Sequence, residues 1–307
     1  MLGWGCGGSS TSVTNPSPPS PLPPNATPDE RADYLVSQMS QNEKLQLVRG
    51  GATWYSSLPR GGAGWVPGIP RLNIPALYLA DGSVGVGNSV GRATALPSSI
   101  ASAASWNVNE AYKYGKVIGS ELSAYGMNVN LGGDINLIGR EPRDGRAFET
   151  KGEDPVLAGK ITAAQLKAIQ DQHVIADIKH FSLNDQETGR GQANVLIDDR
   201  SARASDLLAF EIGVKDSGVQ SAMCSYNLLN GTYSCENPYL LSTVLKGDWA
   251  LLEFHRRDSF ASDQSGRFGG GGGGGEPAHH RGDGKRWSAS DALAQSGGRG
   301  AGGVVSG

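Results

Sequence analysis

The sequence predicts an incomplete (β/α) barrel of the TIM type between residues 31 and 249. Short apolar runs typical of strands alternate with segments whose apolar residues recur at helical spacing, and successive strands are roughly 40–50 residues apart. This order implies parallel strands joined by crossover helices, and an open doubly wound sheet is the second interpretation. No Gly-rich phosphate loop of either common kind follows a predicted strand, so a nucleotide site has little support.

The first half of this region contains two clear helices and two strands. Ser40 and Glu43 are three residues apart and fit a capping box, which predicts a helix through KLQLV. ALYLAD at 76–81 is a short apolar run that predicts a buried strand. Residues 108–125 carry apolar side chains at helical spacing, and MNVNL at 127–131 follows as a strand.

The second half continues the alternation. Asp154 followed by Pro155 fits the N-cap and first position of a helix that runs to about residue 171. The later segments are HVIADIKHF at 173–181 as a strand, a helix near 200–215, VQSAMCSY at 219–226 as a strand, and a last helix that Asn237-Pro238 begins and Gly247 ends.

The two ends of the chain differ from the middle in composition. Residues 1–30 are rich in Ser and Pro and predict a disordered, extended leader or linker. Residues 250–307 hold 16 glycines but only five Leu, Ile or Val in 58 positions, which predicts a disordered low-complexity tail. The change after Trp249 is abrupt, and we interpret the tail as out-of-frame translation or a mis-set gene end. A natural Gly-rich tail is the alternative.

Composition also excludes several classes of function. A formal net charge of -3 argues against a nucleic-acid partner, and no apolar run is long enough to predict a membrane span. No ligand pattern predicts a metal or another cofactor. Among three cysteines, Cys224 and Cys235 can pair only if the fold brings them together. The start MLGWGCGGSS is either a clipped export signal or an uninformative tail.

Polar side chains suited to chemistry lie at the ends of three predicted strands. Asp81 ends the first, Lys179 and His180 end another, and MCSY with Met223 and Tyr226 ends a third. The carboxyl ends of barrel strands meet at one face, where active sites lie. The alternatives are a turn at Asp81, a solvated rim at Lys179 and His180, and a core position for Tyr226.

The polar loop at 140–155 is the other candidate for the site. It holds three arginines and three acids close together: Arg140, Arg143, Arg146, Glu141, Asp144 and Glu149. One interpretation is a solvated loop with ion pairs of little energetic value. The other is the lip of a site, in which an arginine grips hydroxyls or orients a carboxylate.

Four ordered motifs carry a resemblance to a known family. They are LADGSVGV at 79–86, DGRAFETKGEDP at 144–155, KHFSLNDQETGR at 179–190 and MCSYNLLNGTYSCENPYLLSTVLKGDW at 223–249. Together they resemble family 3 glycoside hydrolases, most closely the β-glucosidase branch, over about 31–249. The resemblance implies a barrel followed by a second α/β domain, and retaining hydrolysis of terminal non-reducing β-D-glucosyl residues. It implies a β-linked gluco-oligosaccharide or glucoside as substrate. The Pro-rich leader, together with a polymer-degrading role, predicts an extracellular or periplasmic location, although no complete signal peptide is visible.

The resemblance also implies roles for the residues at the strand ends. Asp81 would bind hydroxyls of the terminal sugar, and three cations or donors would complete that subsite: Arg146, Lys179 and His180. Met223 and Tyr226 would lie along the sugar. One position departs from the family's pattern, because Gly87 stands where members often carry an arginine. Arg92 is a candidate substitute from a neighbouring loop.

The sequence supports the predicted catalytic residues less well than the predicted binding residues. Retaining glycosidases need two carboxylates about 5–5.5 Å apart. By position alone, nine residues after Trp249, Asp258 stands where the family's nucleophile belongs, and Asp263 is a weaker candidate. The family's acid/base has no counterpart, since Glu253 and Glu276 lack motif support. A non-catalytic sugar-binding remnant and a β-xylosidase or exo-glucanase are the alternative functions.

Overall fold

A computed structural model describes residues 25–51, 58–88, 90–219 and 221–251. The chain divides into two units, residues 1–45 and 46–307. The helices are α1 (Pro28–Gln38), α2 (Gln41–Arg49), α3 (Ser99–Ala104), α4 (Val108–Ala124), α5 (Pro155–Gln170), α6 (Asp199–Ala204) and α7 (Asp206–Ser217). The strands are β1 (Gly64–Val66), β2 (Leu77–Ala80), β3 (Val129–Asp134), β4 (Ile175–Phe181), β5 (Asn194–Val195), β6 (Ser221–Cys224), β7 (Leu228–Leu229) and β8 (Thr232–Tyr233).

The first unit is helical where it is described. Thr27 caps α1 through a capping box with Glu30, so this helix begins inside the range predicted as a leader. The capping box predicted at the start of α2 is confirmed: the Ser40 hydroxyl accepts from the Glu43 N–H at 3.3 Å, and the Glu43 carboxylate accepts from the Ser40 N–H at 2.8 Å.

The second unit is built on a sheet whose strand order is β1-β2-β3-β4-β6. Strand β1 is antiparallel to β2, and the remaining pairs are parallel. Along the chain, each new parallel strand is added beside the preceding one, always on the same side of the growing sheet. The strand order therefore never reverses. A doubly wound sheet reverses its strand order at a switch point, so the observed order is that of a partial barrel.

The crossover helices follow the predicted pattern. Helix α5 packs between α4 and α7, and it also contacts β4. The N-cap predicted at Asp154 is confirmed, because its carboxylate accepts from the Leu157 N–H at 2.8 Å. The single helix predicted near 200–215 is wrong in detail: the chain forms α6 and α7 with a break at Ser205, whose φ of -124° and ψ of -103° are not helical.

A second small sheet and a disulfide lie beyond β6. The small sheet has the order β5-β7-β8. Cys224, the last residue of β6, is bonded to Cys235 in a short 3-10 turn, so the fold does bring the two cysteines together. The last predicted helix is a π-helical segment, Tyr239–Asp248.

The core lies between the sheet and its crossover helices. Phe181 of β4 is fully buried, and its ring meets Phe210 and Trp249 edge to face at centroid distances of 5.2 and 5.6 Å. Aromatic side chains in such contacts contribute both buried area and favourable ring geometry. This cluster fixes the outer face of β4, whose carboxyl end carries part of the site.

Two glycines allow the chain to pack closely at the carboxyl end of β3. A Cβ atom on Gly132 would lie 2.4 Å from the carbonyl oxygen of Gly82, and one on Gly133 would lie 2.4 Å from the carbonyl oxygen of Asp177. Both positions therefore require a residue without a side chain. The strand ends are drawn together as a result.

Candidate functional site

The candidate site lies where the parallel strands end. Asp81 directly follows β2, Asp134 is the last residue of β3, and Lys179 and His180 lie near the end of β4. Asp134 pairs with Lys179 in register, and Lys179 pairs with Met223 of β6. Residues from four strands thus meet at one edge of the sheet, as the sequence predicted for three of them.

Lys179 joins the first strand end to the polar loop. Its ammonium lies 3.0 Å from a carboxylate oxygen of Glu149 and 4.0 Å from one of Asp81. The Lys179 side chain is buried, whereas that of Asp81 is 40% exposed. The solvated rim considered for Lys179 is therefore wrong, and Asp81 presents a carboxylate to solvent beside a buried cation.

Arg146 is the arginine of the loop that enters the site. Its guanidinium donates to Glu149 through Nε at 3.0 Å and Nη2 at 2.9 Å, and its Nη1 lies 3.0 Å from Nε2 of His180. Burial lowers the pKa of this guanidinium, but Glu149 and the other surrounding acids raise the pKa by more. Arg146 therefore stays charged and orients a carboxylate, one of the two roles predicted for it.

His180 is held as a neutral imidazole. Burial and the neighbouring Arg146 lower its pKa to about 4, against the opposing effect of Asp134. Because the Arg146 N–H donates to Nε2, the ring proton is assigned to Nδ1, which lies 3.3 Å from the Asp134 carboxylate. The ring thus keeps one orientation and one tautomer.

Two buried acids organise these cations. Burial raises the pKa of Glu149, but Arg146, Lys179 and a 2.6 Å hydrogen bond from the Ser83 hydroxyl hold the pKa well below its ordinary value. Asp134, which no sequence pattern marks, also has a lowered pKa despite burial, because of its contact with His180. The predicted strand at 127–131 stopped three residues too early, and so excluded Asp134 from the strand ends.

A second missed residue lies beneath the acids. Lys151 is buried, and its ammonium donates to the main-chain carbonyl oxygens of Asp134 at 2.8 Å and Glu149 at 3.3 Å. A lysine in the segment FETKGEDP gives no sign of burial, because long charged side chains are almost always exposed.

Tyr226 lies at the side of the site. The Arg190 guanidinium is 4.7 Å from the centre of its ring, and the same guanidinium donates to Glu187 at 2.7 Å. Glu187 in turn lies 3.8 Å from Arg146. Met223 is 5% exposed and packs with Leu79 and other apolar side chains.

The remaining predicted residues are placed as follows. Arg143 is exposed and pairs with Glu141. At these two residues the loop fits the alternative interpretation, a solvated loop with surface ion pairs. Arg140 bridges the buried acids Asp185 and Asp206 at 3.0 and 2.9 Å.

The position that departs from the family's pattern lies against Asp81. The Gly87 N–H donates to the Asp81 carbonyl oxygen at 2.9 Å, and the side chain of Arg92 is exposed.

The catalytic candidates cannot be placed with these residues. Asp258, Asp263, Glu253 and Glu276 lie outside the described part of the chain. Across 25–51, 58–88, 90–219 and 221–251, no cluster of three or more His, Cys, Asp or Glu side chains could hold a metal ion. In the described residues, no helix combines the length and apolar content that crossing a bilayer requires.

Comparison with known proteins finds one consistent group of relatives. The sequence profile described as "Glycosyl hydrolase family 3 N terminal domain" matches residues 69–255. Thermostable beta-glucosidase B of Acetivibrio thermocellus is 35% identical over 227 residues, which are 70% of this chain and 28% of that protein. Beta-glucosidase 1 of Aspergillus aculeatus is 36% identical over 242 residues, 75% of this chain and 27% of that protein.

A solved structure agrees with these relatives. The structure of beta-glucosidase 3B from Thermotoga neapolitana in complex with glucose superposes with a TM-score of 0.68 at 36% identity. The superposition covers 72% of this chain and 33% of that one. The chain therefore spans about a quarter to a third of the length of these relatives.

Proposed function

Because this chain belongs to glycosyl hydrolase family 3, we propose that it binds the terminal glucosyl unit of β-linked glucosides and gluco-oligosaccharides, and that it serves their retaining hydrolysis. One observation carries the proposal. The exposed carboxylate of Asp81 lies beside the buried cation of Lys179, at the strand ends where barrel enzymes bind their substrates.

The chemistry of this arrangement suits a sugar. Each sugar hydroxyl both donates and accepts a hydrogen bond, so it is matched by a carboxylate next to a cationic donor. The Lys179 ammonium has three N–H donors and uses one on Glu149, which leaves donors for hydroxyls. The neutral His180 lies between Arg146 and Asp134, which fixes the orientation of its ring at the strand ends. The roles of Asp81, Arg146, Lys179, His180, Met223 and Tyr226 are part of the proposal.

Hydrolysis needs groups beyond this binding set. In the proposed reaction a carboxylate attacks the anomeric carbon and a second carboxyl group protonates the leaving oxygen. Asp258 is the proposed nucleophile, on its distance from Trp249 alone. Non-catalytic sugar binding is a second candidate function. The observation that supports it is that contacts within the structure hold the binding residues, whereas the nucleophile is assigned only by its distance in sequence from Trp249.

Two measurements on the chain distinguish these functions. Calorimetric titration with glucose tests binding, and release of nitrophenol from an aryl β-glucoside tests turnover. Turnover that Asp258→Asn abolishes and the surface variant Asp216→Asn preserves supports hydrolysis by this chain. Glucose binding without turnover supports the sugar-binding function. The absence of both binding and turnover would refute both functions. The same assay with an aryl β-xyloside and with a β-glucan compares the alternative specificities.

We also propose an extracellular or periplasmic location. The Cys224–Cys235 disulfide supports it, since such bonds persist in oxidising compartments. Thiol labelling of protein taken directly from the source cells tests the proposal. Two labelled cysteines at these positions would contradict it.

A further inference from the structure

Lys151 is a buried lysine that the proposed binding set does not use. Its side chain is 1% exposed, and it is among the largest fully buried side chains in the described residues. Lysine is almost never buried to this degree without a partner that compensates for lost hydration. Its position between the polar loop and β3 therefore needs a reason.

The contacts of Lys151 connect two separate parts of the site. Its ammonium donates to the carbonyl oxygen of Asp134, at the end of β3, and to that of Glu149, in the loop. The side chains of the same two residues bind the cations and the imidazole of the site: Glu149 binds Arg146 and Lys179, and Asp134 binds His180. One ammonium thus holds the main chain of both organising acids.

The charge of Lys151 also offsets the acids of the cluster. Asp134 and Glu149 act on Lys151 as well as on Arg146, and Glu187 adds a further negative charge 3.8 Å from Arg146. Loss of the Lys151 proton makes the cluster more negative by one charge, which strengthens the hold of the acids on Lys179 and Arg146. Those cations are then less available to a sugar.

We infer that Lys151 is a positioning residue of the sugar subsite, which acts through Asp134 and Glu149, and that tight sugar binding requires its ammonium to be charged. The inference rests on the proposed function. The groups that face Lys151 are Asp134 from β3, Glu149 from the loop and Lys179 from β4. Burial lowers the pKa of Lys151 to about 8, against the opposing effect of the two acids. Lys151 is therefore almost fully protonated at pH 6.5 and almost fully deprotonated at pH 9.5.

Calorimetric titration of glucose into the full chain between pH 6.5 and 9.5 tests the inference. In the wild type, the affinity should fall as Lys151 loses its proton between about pH 7 and pH 9.5, by about tenfold in total. Lys151→Met should bind about tenfold more weakly at pH 6.5 and show no further fall. Lys151→Arg, which stays charged, should bind throughout this range without the alkaline fall.

A purely structural role for Lys151 would lower the melting temperature of Lys151→Met and leave the pH profile of binding unchanged, and that result overturns the inference. Constant wild-type affinity up to pH 9.5 overturns it too, while leaving the proposed sugar binding intact. Absence of glucose binding at pH 6.5 instead refutes the proposed function.

A second measurement needs neither a variant nor a sugar. The ring signals of His180, followed by NMR in the wild-type chain, should shift with an apparent pKa near 8, because Lys151 acts on the ring through Asp134. Signals that stay constant from pH 6.5 to 9.5 overturn the inference, even if the substituted chains do not fold.

Discussion

Replacing Asp177 with Asn should stabilise the chain at neutral and alkaline pH. Asp177 lies on β4, two residues before Lys179 and on the same face, and it is fully buried. The Ser221 hydroxyl donates to its Oδ1 at 2.5 Å, while its Oδ2 has no hydrogen-bond partner among the described residues. A carboxylate in this position loses its hydration and gains little in return.

The size of the effect follows from the pKa. Burial raises the pKa of Asp177 from 3.8 to about 7, and the Ser221 hydrogen bond and Lys179 offset only part of that rise. A carboxyl group whose folded pKa is raised contributes stability below its unfolded pKa, and this stability is lost as pH rises through the folded pKa. At about 1.4 kcal/mol per pKa unit, the loss is about 4 kcal/mol once pH exceeds 7. About 3 kcal/mol of it falls between pH 5 and pH 8.

Urea unfolding at pH 5 and pH 8 measures this loss. The asparagine amide has the shape of the protonated carboxyl group and can still accept from Ser221, but it does not titrate. The wild type should therefore lose about 3 kcal/mol more free energy of unfolding between the two pH values than Asp177→Asn does. Asp216→Asn, at a surface carboxylate paired with Lys160, should follow the wild type. Parallel pH dependences of Asp177→Asn and the wild type would refute the reasoning.

Three further predictions concern the core, the disulfide and the site. Phe181→Ala should lower the free energy of unfolding by about 3–5 kcal/mol, because it leaves a cavity against two aromatic rings, and urea unfolding would measure the loss. Replacing Cys224 and Cys235 with Ser should lower the same quantity by about 3 kcal/mol, given the sequence separation of 11 residues; unfolding of the wild type with and without reductant is the comparison, and equal midpoints would contradict it. Glu149→Gln should weaken glucose binding by at least about tenfold, because it leaves buried cations unpaired. Calorimetry with Glu211→Gln as the surface control checks this, and equal affinities would contradict it.

The repeating architecture could be predicted because it depends on local patterns. The strand at 175–181 and the helix from Pro155 were predicted almost to the residue, since apolar periodicity and an N-cap both mark them. Strand β1 and the small sheet were missed, because strands of two or three residues carry too little pattern to detect. The break at Ser205 was missed because the apolar residues continue at helical spacing on its far side.

The site could be predicted only at its strand ends. Asp81, Lys179 and His180 each end an apolar run, so the barrel rule placed them together. Asp134 and Lys151 could not be found in this way, because their importance lies in contacts with residues distant in sequence: Lys179 is 45 positions from Asp134. A buried charged residue in a polar loop looks, in sequence, like a solvated one.

The close packing at the end of β3 has a consequence for engineering the site. A Cβ atom on Gly132 or Gly133 would lie 2.4 Å from a carbonyl oxygen of a neighbouring segment. These oxygens belong to the main chain, which cannot rotate away as a side chain can. In a saturation library, both positions should tolerate almost no replacement, including alanine. Diversity aimed at changing specificity is better placed at Gly87, where the nearest atoms of the described residues to a Cβ atom are Cβ and the carbonyl oxygen of Asp81, both at an ordinary contact distance of 3.6 Å.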